Sequence, residues 1–117
     1  MVIWFDSAKS TENERLEKKF LDFLSTKKCS FNLQFLRLYD IEDKFETEKK
    51  DKICIISSGM LSQNIIDKYD NNDSIVSISI YCKSVDFHNS KIYKKKGLVT
   101  KSYLDLLDHI SHIIDIL

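Results

Sequence analysis

The chain has 117 residues, 43% of them hydrophobic, and its 18 basic and 18 acidic side chains cancel to a formal net charge of zero. That is the size of one domain with apolar side chains enough for a single core, and it lacks the basic excess with which proteins neutralise nucleic-acid phosphates. No apolar run approaches the roughly 20 residues of a membrane span, and the start Met1-Val2-Ile3-Trp4-Phe5-Asp6 has neither the charged region nor the cleavage site of a signal peptide. A cytoplasmic location is expected, with no nucleic-acid or membrane partner. Cys29, Cys54 and Cys82 are odd in number and widely spaced, which fits reduced structural thiols. There is no proline, and the two glycines, Gly59 and Gly97, fall where strands meet turns.

Val2 to Phe5 is continuously apolar and ends at Asp6, as a strand buried on both faces would. Thr11-Glu12-Asn13-Glu14 is a capping box that opens a helix with the stripe Leu16, Phe20, Phe23 and Leu24. Phe31 to Tyr39 alternates imperfectly with period two, as a strand near the sheet edge would. Asp40 to Asp51 is highly charged, with Ile41 and Phe45 four apart, and reads as a short second helix. Ile53 to Ile56 is the central strand. After Ser57-Ser58-Gly59, the residues Met60, Leu61, Ile65, Ile66 and Tyr69 mark a third helix, with Ser58 as its cap. Tyr69 to Asp73 is a turn, and Ile75 to Cys82 a fourth strand. Val85 to Lys95 reads as a weak helix. Gly97 to Thr100 is a last strand, and Ser102-Tyr103-Leu104-Asp105 caps a closing helix that runs to Leu117. Five strands alternating with five helices predict a flavodoxin-like three-layer α/β sandwich with a mainly parallel sheet in the order 2-1-3-4-5.

In an open sheet of that order, ligands bind where the winding reverses, at the carboxyl ends of the first and third strands. Those ends are Asp6-Ser7-Ala8 and Ser57-Ser58-Gly59. Phosphoacceptor receiver domains of the same layout hold Mg²⁺ on paired acids there and phosphorylate an aspartate. This chain has the single acid Asp6, has Ser57 at the acceptor position, and places Lys101 one residue late. A hard divalent cation needs several oxygen ligands, so no metal or other cofactor is expected. The serine-rich turn Ser57 to Ser62 feeds a helix N-terminus and makes Asp6, Ser57, Ser58 and Gly59 the candidate ligand-binding residues. It has no P-loop lysine and no Gly-x-Gly-x-x-Gly. A nucleophile set of Cys82, His88 and Asp6 can be drawn, but no motif surrounds Cys82 or His88, which read as a structural cysteine and a surface histidine. His109 and His112 lack the cysteine pair that would complete a tetrahedral metal set.

The stretches Trp4-Phe5-Asp6-Ser7, Ile55-Ile56-Ser57-Ser58-Gly59-Met60-Leu61, Ile78-Ser79-Ile80-Tyr81-Cys82, His88 and Lys96-Gly97-Leu98-Val99-Thr100 together resemble a receiver-like domain. That domain sits at the amino end of large eukaryotic proteins, often before tetratricopeptide repeats or an arginine ADP-ribosyltransferase domain. The chain departs from its pattern at Ser62, where glycine is common, and in lacking a tryptophan after His88. The resemblance implies the receiver-like fold and no particular activity.

Lys91, Lys94, Lys95, Lys96 and Lys101 form a basic stretch with no acid between Phe87 and Leu104, followed by Asp105, Asp108 and Asp115. This charge-segregated end is the candidate interaction surface. The expected function is a non-catalytic signalling or scaffold module that acts by protein–protein contact, through a partner or as a homodimer. The alternative is a TIR-like or other small α/β enzyme, or a nucleotide- or phosphate-binding domain, using the sheet edge at Asp6 and Ser57.

Overall fold

In the computed structural model, which describes residues 2–6, 11–26, 31–35 and 52–116, the first strand already divides the molecule into two faces. Val2 and Trp4 of β1 (Val2–Asp6) join one apolar cluster and Ile3 and Phe5 join another, because successive strand side chains point to opposite sides. β3 (Ile53–Ser58) repeats the division, with Cys54 and Ile56 on one side and Ile53 and Ile55 on the other. A strand covered on both faces has no polar side, so both read as unbroken apolar runs.

With β2 (Phe31–Phe35), β4 (Ile75–Tyr81) and β5 (Lys96–Thr100), the strands form a parallel sheet in which the order is β2-β1-β3-β4-β5. Phe5 lies opposite Ser57 and Ser58 opposite Tyr81, so the carboxyl ends of β1, β3 and β4 line one edge. α1 (Thr11–Thr26) and α4 (Tyr103–Ile116) cover the Trp4 face; α2 (Ser62–Tyr69) covers the Phe5 face, where Val85 of α3 (Val85–Asn89) also packs. The α/β class, a parallel sheet alternating with helices, is as the sequence predicts. No helix among the described residues is long and apolar enough to cross a membrane.

Leu16, Phe20 and Leu24 of α1 are buried, as their stripe predicts, and Phe23 is half-buried. Trp4 is the hub of this side. Its ring meets Phe20 edge-on at 5.4 Å and Tyr81 at 5.8 Å, and Phe20 in turn meets Tyr103 at 5.5 Å. Aromatic pairs prefer this edge-to-face geometry because the positive ring edge faces the negative ring face. On the opposite side Phe5 stacks on Tyr69 at 6.0 Å.

Several expectations need correction. β3 runs two residues beyond Ile56, through Ser57 and Ser58, because β4 continues to pair with it there. The third expected helix begins at Ser62, after a turn, with Leu61 in the capping position and no side-chain cap. Ser58 therefore does not cap it. Instead the Ser62 hydroxyl donates back to the Gly59 carbonyl at 2.8 Å, and Leu61, which is fully buried, draws the turn into the core. The weak helix expected from Val85 to Lys95 lasts only five residues, since Tyr93 donates its hydroxyl to the Ile78 carbonyl at 2.8 Å and Asp70 accepts the amides of Lys94 and Lys95 at 2.8 and 2.7 Å. These bonds hold the chain as it enters β5. Ser102 does open the closing helix, accepting the Asp105 amide at 3.3 Å. The strand end expected at Tyr39 and the charged helix Asp40 to Asp51 lie outside the described residues.

Gly97 is forced by its neighbours. A Cβ there would fall inside Ser79 Oγ, 3.2 Å from the Ile78 carbonyl oxygen and 3.3 Å from His109 Nε2. Ser79 of β4 is fully buried and accepts the Leu98 amide of β5 at 3.1 Å, where the two strands shift register.

Candidate functional site

The carboxyl edge of the sheet is where the expected site residues meet their test. Asp6 is the last residue of β1, in register with Phe35 of β2. Ser57 is fully buried, and its hydroxyl donates to the Ser58 carbonyl at 2.9 Å, so it faces the backbone rather than a ligand. Ser58 Oγ is buried with no hydrogen-bond partner. Gly59 is packed against side chains, since a Cβ on it would lie 2.8 Å from His88 Nε2 and 3.1 Å from Cys82 Cβ. The turn is a tightly packed corner at Gly59, and the Ser57 and Ser62 hydroxyls are both turned to backbone carbonyls.

That corner gathers residues whose connection the sequence hides. His88 is 9% exposed, so it is not the surface histidine expected, because α3 folds it down onto the α2 turn. Its Nδ1 lies 3.4 Å from Ser62 Oγ, which also receives Lys91 Nζ at 2.8 Å. The Ser62 proton is committed to Gly59 O, so Oγ acts as an acceptor toward both nitrogens. The network therefore places the imidazole proton on Nδ1 and leaves Nε2 as a bare acceptor. Burial, then the Lys91 ammonium, holds the His88 pKa below its usual 6.5. Burial pushes the Cys82 thiol up, partly opposed by Lys91. Cys82 is half-buried and free, and its amide donates to Thr100 O at 3.0 Å. The buried Cys54 is likewise in no disulfide.

Three of the five lysines of the basic stretch direct their ammoniums to groups within the chain. Lys91 serves Ser62, Lys94 Nζ donates to Asn71 at 2.9 Å, and Lys96 Nζ donates to the Asn89 and Lys91 carbonyls at 2.6 and 2.9 Å. Of these ammoniums, that of Lys96 meets the Asn89 carbonyl at the end of α3, where a cation is favoured. Lys95 is half-buried. Lys101 is exposed and, with Lys83, Val85, Phe87, Thr100 and Asp105, lines an open groove of about 570 Å³ between α3 and the start of α4. Lys91 was visible in the sequence only as part of a charge run, and the spacing of Ser62 from His88 carries no signal of their contact. Among the described residues no group of three or more His, Cys, Asp or Glu side chains is placed to hold a metal ion.

His109 is a second depressed imidazole, lowered from 6.5 first by burial and then by His112, and its Nε2 is buried without a partner. Below about 6.5 the unfolded chain binds protons that folded His88 and His109 refuse, so acidification through that value favours unfolding. The thermal midpoint is expected to drop between about pH 7.5 and pH 5.5, and to drop less in a His88→Gln/His109→Gln variant. An equal drop in both proteins would remove these imidazoles as the cause.

A scan against protein-family models, a search of curated proteins and a search of solved structures each returned no match to the chain.

Proposed function

We propose that the chain is a flavodoxin-like, receiver-like domain acting as a non-catalytic signalling or scaffold module, and that its contact is with a second copy of itself through α4 and β5. The observation that carries this reading is the composition of α4. Of its 14 residues only Leu106 and Ile110 are buried, while Leu104 and Ile116 are 68% and 70% exposed and Leu107, Ile113 and Ile114 are half-buried. A helix apolar on most of its circumference has more surface to cover than this sheet covers.

Charge supports a second copy as the occupant. Asp105, Asp108 and Asp115 are exposed along α4, and Lys96 at the start of the neighbouring edge strand β5 and Lys101 just after its end are exposed too. Acids on α4 beside exposed lysines flanking β5 are self-complementary under a two-fold axis, which can set each group on its opposite in the partner. A serine at the acceptor position, with its hydroxyl turned to Ser58, supports a role without aspartyl-phosphate chemistry. Cys54 and Cys82, neither in a disulfide, fit a reducing, cytoplasmic setting.

Sedimentation equilibrium tests the reading. The wild type is expected to dimerise with rising concentration and to weaken with salt. Leu104→Glu, at an exposed position where folding loses little, is expected to remain monomeric. A wild type that stays monomeric at low salt and high concentration overturns it.

A further inference from the structure

The open groove at the carboxyl tips of β4 and β5 has a volume of about 570 Å³, within the range of about 300–1,000 Å³ that holds a small organic ligand. None of Asp6, Ser57, Ser58 and Gly59 lines it. Tyr81 lies opposite Thr100 in the β4–β5 register, so Lys83 and Lys101 leave neighbouring strand tips, and both are exposed. Neither makes a hydrogen bond or ion pair with another described residue. The fold gains nothing from them. Like charges on adjacent strand tips repel, and Lys101 precedes Ser102, which caps α4, so it also stands beside the positive end of that helix. Thr100 lines the same groove and is 8% exposed. Its hydroxyl accepts the Ser102 amide at 3.0 Å, and its own proton has no acceptor among the described residues. A buried donor without an acceptor is costly, and an anionic oxygen in the groove supplies one.

A bare anion is not what the groove selects. Asp86 and Asp105 also line it, in the first turns of α3 and α4, and neither carboxylate bonds another described residue. Two acids against two cations leave no net attraction for inorganic phosphate by itself. They do accept hydroxyl groups, such as those of a sugar carried next to the anion. Phe87, which also lines the groove, is 67% exposed, and a flat heteroaromatic ring stacked on it covers that apolar surface.

We propose that this groove binds a nucleoside monophosphate. Its phosphate meets Lys83, Lys101 and the Thr100 hydroxyl, its ribose hydroxyls donate to Asp86 and Asp105, and its base lies against Phe87. Binding is non-covalent, and the proposal does not rest on the dimer.

The test follows amide shifts of the intact chain while AMP, GMP, CMP and UMP are added separately, beside the matching nucleosides and inorganic phosphate. At least one nucleotide is expected to give saturable shifts confined to residues 83–87 and 99–105. Its nucleoside and inorganic phosphate are each expected to bind about tenfold or more weakly, and added salt to weaken the nucleotide. The Lys83→Gln/Lys101→Gln variant is expected to lose about tenfold or more in affinity, and Phe87→Ala about fivefold. All three positions are exposed, so the fold tolerates these exchanges. The absence of saturable shifts with every one of the nucleotides overturns the proposal, as does a double-variant affinity within about twofold of wild type. Inorganic phosphate binding as tightly as the nucleotide also overturns it, since that marks an adventitious ion only.

Discussion

Replacing Trp4 by alanine is expected to destabilise the fold by about 3–5 kcal/mol, the cost of deleting a large aromatic from a packed interior. Trp4 is 2% exposed in the strand that lies between β2 and β3, and its ring touches Phe20 of α1 and Tyr81 of β4. Its removal leaves a void beneath both covering helices, because Phe20 also supports Tyr103 at the start of α4. β1 cannot close that void, since its backbone is fixed by ladders on both sides. The thermal midpoint is expected to fall by more than about 10 °C. Trp4→Phe is expected to recover much of the loss, because it keeps an edge-on ring and discards the indole nitrogen, which has no hydrogen-bond partner. A calorimetric scan of both variants checks the pair. A loss below about 1 kcal/mol for the alanine variant would show that the aromatic cluster does not hold the helices.

Gly97→Ala is expected to be the next most damaging exchange, although it adds one methyl group. The new Cβ meets Ser79 Oγ, and the Ile78 carbonyl 3.2 Å away leaves it no second direction. Overpacking at a buried strand junction costs roughly 1–3 kcal/mol. Ser79→Ala alone removes the acceptor of the Leu98 amide, a loss of about 1–3 kcal/mol for an amide left unpaired. In the double variant the hydroxyl is no longer in the way of the methyl. The combined loss is therefore expected to be smaller than the sum, with coupling on the order of 1 kcal/mol. Urea denaturation of the four proteins measures it, and simple additivity would show that Ser79 is not what excludes a side chain at 97.

The sequence made the layers legible wherever apolar residues were dense. Val2 to Phe5 and Ile53 to Ile56 have no polar side to mislead, and Leu16, Phe20 and Leu24 recur at helical spacing, so class and alternation followed from pattern alone. Contacts between polar residues distant in sequence were not legible. Ser62 and Lys91 are 29 residues apart, and nothing in either segment announces that a lysine will bond a helix-start serine. His88 was misjudged because its neighbours Asp86, Phe87 and Asn89 are exposed, so local polarity pointed outward while α3 turned that one ring inward. The lysine run misled in the opposite sense. Its composition signals a free basic face, yet three of its five ammoniums bond within the chain, because a segment with so few apolar contacts is fixed instead by donors and carbonyls.

The place of β1 between β2 and β3 also has a consequence during protein synthesis. The ribosome delivers Val2 to Phe5 long before Ile53 to Ser58, yet one edge of β1 is completed only by the later segment. For that interval a short strand of Val, Ile, Trp and Phe lacks its partner, and an unpaired apolar edge is what promotes association of nascent chains. α1, with its amphipathic stripe, is made next and can cover one side of that strand by local contacts, which form faster than distant ones. A helix that covers the Trp4 face in the folded protein is thus also a shield for β1 while Ile53 to Ser58 are still to be made.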